Sequence, residues 1–345
     1  MAEVKNYSCK NCGAGLSFEP ASGKWTCQYC RSSYDKSELD EQHGDVGATD
    51  LHEEFHELES YHCESCGADL IADDTTTATF CLYCRNPVVI KEKFKGVFEP
   101  NYVIPFKITK AQAEEIYRTW INKRRFAPIQ FKQKEEIEKI TGIYAPFWLF
   151  DCDVTATLVG KGTKVSSWRT GNTEYTKTQH FHVERSGEVR YEKVPVDSAT
   201  KLDDTFMKMI EPYDYSELKE FSMHYLTGFM AERYDVEAVD SEAVMKSRVE
   251  EYATGRVKET VSGYASFGTT SSQEIISNSV HHYGLLPVYM LVNKFKDKEH
   301  LFLINGQTGK VVGDTPLDHK RQLLFFGTIA AITSVILLIG GVFFG

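Results

Sequence analysis

Eight of the nine cysteines in this 345-residue chain fall into two sets of four with identical spacing. Cys9, Cys12, Cys27 and Cys30 read C-x2-C-x14-C-x2-C, and Cys63, Cys66, Cys81 and Cys84 repeat it 54 residues later. YSCKNCGAGL (7–16) aligns with YHCESCGADL (61–70), and CQYCR (27–31) with CLYCR (81–85), so the module is duplicated. Four thiolates make a tetrahedral zinc site, and C-x2-C lets two sulfurs of one tight turn face one ion. Four protein ligands leave no position for a reactive water, so the spacing predicts two structural zinc ions. Gly13 and Gly67 follow the first pairs, where a residue tolerant of positive φ lets backbone amides reach the sulfurs. Arg31 and Arg85 hold the equivalent places after the second pairs, which predicts slight strain there. The 14 residues between the pairs suit a short β-hairpin. Two disulfide-bonded loops are the competing reading, but MAEVKNYSCKNC has no apolar signal region to suggest an oxidising compartment. A module of ~30 residues has too little core to fold alone, so the metal should supply its stability.

Other residues offer weaker chemistry. HEEFH (52–56) fits the H-E-x-x-H of zinc proteases, with Glu53 as base, and His62 stands where a metzincin keeps a third ligand. Glu59 replaces the glycine that turns the metzincin chain back, and His62 adjoins Cys63, which the second zinc set already claims. Residues 35–59 also hold ten Asp/Glu against one Lys, a background in which the match arises readily. An acidic, partly helical linker is the preferred reading, with His52 and His56 left as a weak third metal site. Cys152 lies on the apolar side of WLFDCDVTATL, a period-2 strand, and reads as a small buried hydrophobe.

The elements that must position these residues come next. Residues 97–316 read as a body of mixed elements. T-x-x-Q at Thr109–Gln112 is a capping box opening a helix with a stripe of Ala113, Ile116, Trp120 and Ile121. Met245, Val249, Ala253, Val257 and Val261 mark a second helix starting near Asp240. Strands are expected at 102–107, 143–158, 174–184, 188–195, 285–296, 299–305 and 309–313, with turns at ERSGEV (184–189), KFKDKEH (294–300) and INGQTGK (304–310). Strands and helices come in runs, so the class is α+β: a mainly antiparallel sheet with helices on one side. The body contains no Walker A, dinucleotide or G-x-S-x-G motif; GTTSS (268–272) reads as a polar loop. The pairs His180/His182 and His281/His282 could meet at a metal, though a solvated sheet face is the preferred reading.

From Leu323 to Gly345 no residue is charged over 23 positions, roughly 34 Å of helix against ~30 Å of hydrocarbon. No polar stripe interrupts it, so a single membrane span serving as a tail anchor is expected. His319, Lys320 and Arg321 flank it, and positive-inside bias puts the preceding bulk in the cytoplasm. The formal charge is −10; eight thiolates add −8 and two zinc ions return +4, giving about −14, which disfavours phosphate backbones. The organisation expected is zinc ribbon 1 (5–35), acidic linker (36–60), zinc ribbon 2 (61–92), α+β body (97–316) and transmembrane anchor (322–345).

The two C-x2-C-G-A ribbons carry a resemblance together with YVIPFKITKAQA (102–113), RFAPIQF (125–131), GIYAPFWLFDCDV (142–154) and LLPVYMLVNKFKDKEHLFLINGQTGKVVGD (285–314). As a set they resemble the Bacillus-type family of membrane-anchored tandem zinc-ribbon proteins, the YdjG type. The likeness spans nearly the whole chain; Arg31, Arg85 and the lack of a tail past the span are its departures. Such proteins are also labelled TFIIB-type zinc-ribbon or primosomal-helicase-like, and the missing Walker A motif speaks against a helicase. The resemblance implies a non-enzymatic membrane receptor or scaffold in a stress complex, with phage-shock protein A-type and SPFH/flotillin-like partners. Two alternatives are nucleic-acid binding by the ribbons, through Lys5, Lys10, Lys24 and Arg31 with Trp25 and Tyr29 as stacking platforms, and H-E-x-x-H peptidase activity.

Overall fold

The computed structural model describes residues 4–5, 7–40, 58–62, 69–73, 75–80, 87–90 and 99–344. The protein is α+β and mainly antiparallel, as expected. Its principal elements are α1 (Lys110–Asn122), β1 (Thr141–Thr170), β2 (Thr173–Asp197), α2 (Asp204–Ile210), α3 (Ala238–Glu259), β3 (Ser266–Phe295), β4 (Lys298–Asn305), β5 (Val311–Gly313) and α4 (His319–Phe344). The capping box forms: the Thr109 hydroxyl accepts from the Gln112 amide at 3.3 Å, and the Gln112 side chain accepts from the Thr109 amide at 2.8 Å. Ala113, Tyr117 and Ile121 are the buried stripe of α1, with Ile116 and Trp120 packed at its margin.

The sheet is built around β1, 30 residues long and so roughly 100 Å end to end. β2 pairs along one side of it and β3 along the other, both antiparallel. β4 and β5 extend β3 at the end near Thr141, where Lys296 and Asp297 take φ of 50° and 62° in a two-residue hairpin turn. Two apolar layers cover this end. Tyr144, Trp148, Phe150, Cys152, Val154, Ala156 and Leu158 face α1, α3 and the N-terminal module. Ile143, Ala145, Phe147 and Leu149 face α2. Cys152 is thus the buried hydrophobe its alternation implied.

Several local expectations are corrected. Helices cover both faces, because β1 carries apolar side chains on both sides from Ile143 to Phe150. ERSGEV does not turn. It continues β2 in unbroken register from Val159↔Glu184 to Val154↔Val189, with Gly187 lying under Val257 of α3. GTTSS is strand, since β3 extends back to Ser266 opposite Thr163. The strand expected over 102–107 keeps only Tyr102–Val103; Pro105 has no amide to donate, and the chain then turns toward Gly306. His180 and His182 lie opposite Thr163 and Lys161, whereas His281 and His282 lie opposite Phe150 and Leu149. A dozen strand residues, about 40 Å, separate the two pairs, so they do not meet at a metal.

Candidate metal centre

Residues 7–34 fold as a three-stranded module, 16–19 against 24–27 against 33–34, with a Ser8–Gly15 bridge closing the first cysteine turn. Both turns have the same form. The Gly13 amide donates to the Cys9 carbonyl at 2.9 Å, and the Arg31 amide donates to the Cys27 carbonyl at 2.8 Å. Gly13 has φ 74° and Arg31 φ 63°, so the strain expected at Arg31 is present: a side-chain-bearing residue holds a left-handed conformation. The sulfurs of Cys9, Cys12, Cys27 and Cys30 all lie within 4.8 Å of one another. Cys9 and Cys30 are 3.4 Å apart and Cys12 and Cys27 3.5 Å, close to the roughly 3.8 Å edge of a tetrahedron with 2.3 Å metal–sulfur bonds. The residues present therefore fit one metal ion of zinc's size, and they are compatible with a zinc ribbon.

The surroundings favour the thiolate at Cys9 and Cys30, whereas at Cys12 the Ala14 amide is outweighed by desolvation and by the neighbouring Cys27, Cys30 and Cys9 sulfurs, which push that thiol up to about 12. Burial opposes ionisation of Cys9, but the Tyr34 hydroxyl at 3.2 Å and the amides of Asn11 and Cys12 outweigh it and lower the thiol to about 6. Ser32 lowers Cys30 by hydrogen bonds from its hydroxyl and its amide. Cys9 and Cys27 are buried and Cys12 and Cys30 exposed, so one edge of the cage faces solvent.

This module is fused to the body. The Trp25 indole donates to the His224 carbonyl at 2.6 Å, and the Phe18 amide donates to the Thr227 carbonyl at 2.9 Å. Tyr7 packs on His224, and Phe18 and Trp25 on Tyr225, with ring centroids 4.3–5.6 Å apart. Tyr7, Cys9, Leu16, Phe18, Trp25 and Cys27 belong to the same apolar cluster as α1 and α3. Sequence reasoning missed this dock; its signal was the large Trp25 and Phe18 in a module too small to bury them. Trp25 is 2% exposed and so unavailable to stack a base, while Tyr29 is 83% exposed.

Cys63, Cys66, Cys81 and Cys84 lie outside the described residues, as do His52, Glu53 and His56. The strands beside those cysteines are described: 58–62 pairs with 69–73, and 76–80 with 87–90. Strand 87–90 also pairs with 4–5, and strand 76–80 with 230–232, which in turn pairs with β1. The first cysteine module thereby joins the body by packing and a backbone hydrogen bond, and strands 76–80 and 87–90 join it by backbone pairing.

α4 is the other feature of note. It has 26 residues and is long and apolar enough to cross a membrane. Leu323, Leu324, Ile336 and Leu337 are 62–78% exposed. Its first turn is fixed to the body. Arg321 donates to the Ala127 carbonyl at 2.5 Å, Arg125 lies 4.5 Å over the Phe325 ring, and Phe126 packs on Phe325 and Phe326.

No family model matches the chain, and no solved structure does. Among curated proteins, a Bacillus subtilis (strain 168) protein named uncharacterized protein YdjG is 34% identical over 345 residues, covering 99% of this chain and 100% of that relative. Identity at that level along the full length of both proteins means that the chain belongs to the YdjG family.

Proposed function

We propose that this protein is a membrane-anchored zinc-ribbon scaffold, with its folded bulk on the cytoplasmic face and its surface given to recruiting protein partners. The observation that carries this reading is α4: an apolar helix whose described side chains beyond Phe325 are exposed, rooted on the body by Arg125, Phe126 and Arg321. A helix so exposed is costly in water and stable in hydrocarbon. His319, Lys320 and Arg321 at its root support an orientation with the body in the cytoplasm. Cys9, Cys12, Cys27 and Cys30 would hold one zinc ion and the second cysteine set another, both structural: bound zinc closes the turns and fixes the surface around them. The proposed partners are membrane-stress proteins of the phage-shock protein A and SPFH/flotillin-like kinds, as the resemblance implies.

The test is affinity capture of the tagged full chain from membranes solubilised with mild detergent. The scaffold reading expects such partners to be recovered, and Cys63→Ser to lose them if the second ribbon forms the contact. Recovery of the chain alone, from membranes in which those partners are plentiful, would count against it.

A further inference from the structure

In a chain of net charge −10, the stretch RTWINKRRFAPIQFKQK (118–134) holds six Lys/Arg and no Asp or Glu. Arg118 and Lys134 pair with Glu115 and Glu138. Lys123, Arg124, Arg125 and Lys132 have no carboxylate partner among the described residues. Arg124 is engaged by the Trp120 ring, 3.2 Å beneath it. The fold then adds two more cations, Lys320 and Arg321, from the root of α4. Arg321 donates to the Ala127 carbonyl across 194 residues of chain. Burial, and after it the charge of Arg321, holds the Lys132 amine below its usual value. Asp318 accepts from the Lys320 amide and forms no ion pair among the described residues. Positive charge is therefore gathered here without a balancing anion.

The same contacts fix a depth. Arg125 lies over the Phe325 ring, and Phe126 packs on Phe325 and Phe326. The Asp318 amide donates to the Phe126 carbonyl at 2.9 Å. The apolar run of α4 opens at Leu323. A hydrocarbon edge anywhere from Leu323 to Gly327 leaves Phe325 within about 3 Å of it along the helix axis. The polar layer outside hydrocarbon is roughly 5–7 Å thick on each side. Residues 125 and 126 thus meet the border between headgroups and acyl chains if α4 spans a bilayer. Ile129, two residues past Ala127, is 60% exposed, and Leu317 is 51% exposed. Apolar side chains left open among cations are what an interfacial segment carries.

We propose that the loop 123–129 rests in the headgroup layer of the leaflet that α4 enters. Lys123, Arg125 and Lys320 bind the phosphates of anionic phospholipids there, and Ile129 enters the acyl boundary. This inference rests on α4 being a membrane span. An anionic leaflet attracts each nearby Lys or Arg, and a cluster of such residues directly beside a span is a lipid-binding feature. A nucleic acid offers the same phosphate, but the bilayer occupies the level at which Arg125 is held. The loop gives the body a second attachment beside α4, so the body keeps one attitude to the membrane instead of swinging on its anchor.

The experiment uses the full chain in nanodiscs of phosphatidylcholine alone, or of equal parts phosphatidylcholine and phosphatidylglycerol. p-Benzoylphenylalanine replaces Ile129 in one preparation and Leu337 in another, and mass spectrometry identifies the lipid attached on irradiation. Position 337 should take lipid in both nanodiscs, which checks the span by itself. Position 129 should also take lipid, with phosphatidylglycerol preferred about fivefold in the mixed discs, the attraction of one cation to an anionic surface. Lys123→Gln with Arg125→Gln should abolish most of that preference, whereas Lys123→Arg with Arg125→Lys should keep it. Lipid at 337 in each variant shows that the chain is still inserted. Lipid at 337 with none at 129, or no preference at 129, would overturn the proposal and leave the span standing. Displacement of lipid from 129 by an added oligonucleotide would overturn it in favour of nucleic acid. Absence of lipid at both positions would remove the span and the proposal together.

Discussion

Asp197, at the end of β2 opposite Phe147, shows how burial sets the behaviour of one side chain. Burial, helped by the charges of Asp204 and Asp235, pushes its carboxyl up to about 8, and the nearby Ser198 and Ala199 amides offset only part of that. In the unfolded chain the same group titrates near 3.8. The folded state therefore holds this proton more tightly. Its stabilising share is complete below the unfolded value, falls as pH rises toward 8, and is flat beyond. Asp197→Asn should flatten the stability profile across that window and raise stability at pH 8 by up to about 5 kcal/mol. Urea unfolding of the detergent-solubilised chain at several pH values checks this, and an unchanged slope would contradict it. Nearby, Arg248 donates to Glu211 at 2.8 Å and to the Pro195 carbonyl at 2.7 Å, with the two side chains 8% and 18% exposed. Arg248→Ala should cost ~3–5 kcal/mol because Glu211 is left buried without its partner. The double variant Arg248→Met with Glu211→Gln should recover much of the loss in the same unfolding assay.

Among the elements, the latch between the first cysteine module and residues 223–229 has the most consequence. Trp25 contributes its ring area and one hydrogen bond to that contact. Trp25→Ala should destabilise the chain by about 3–5 kcal/mol, the usual range for emptying a large aromatic site. It should also speed metal release to a chelator, because Cys27 lies two residues along the same short strand. Metal release timed with a colorimetric chelator tests the coupling; unchanged release with lowered stability would mean that module and body are merely adjacent. The capping box at Thr109 and the four-residue spacing of α3 were legible in the sequence, since both are local patterns. The run 266–284 was not. Its Ser, Thr and Gly content matches that of a loop, and it is strand because β1 offers a partner along its length.

At the scale of the whole molecule, a chain with a bare apolar helix at one end has two testable properties. Alkaline carbonate should leave the full chain in the membrane pellet, and removal of residues 319–345 should release it to the supernatant; extraction of the intact chain would exclude a membrane span. Metal content offers the second check. Elemental analysis of the intact, reduced protein should give two zinc ions per chain, falling by one in Cys12→Ser, and one ion in the unsubstituted chain would mean that a single cysteine set binds.

The sequence by itself determined what depends on residue type and short spacing. The first four cysteines do meet in one cage, Cys152 is a buried hydrophobe, and the C-terminal segment is an uncharged helix. Those features need only a turn, an alternation or a composition, and each is local. Tertiary structure alone decided that Trp25 faces the body instead of solvent, that the two histidine pairs lie far apart along β1, and that 184–189 runs straight. It also left one edge of β3 open among the described residues. Each of these is set by which distant strand or helix supplies the partner, and partner choice follows from the burial and hydrogen bonding of the assembled sheet, which no short window of sequence contains.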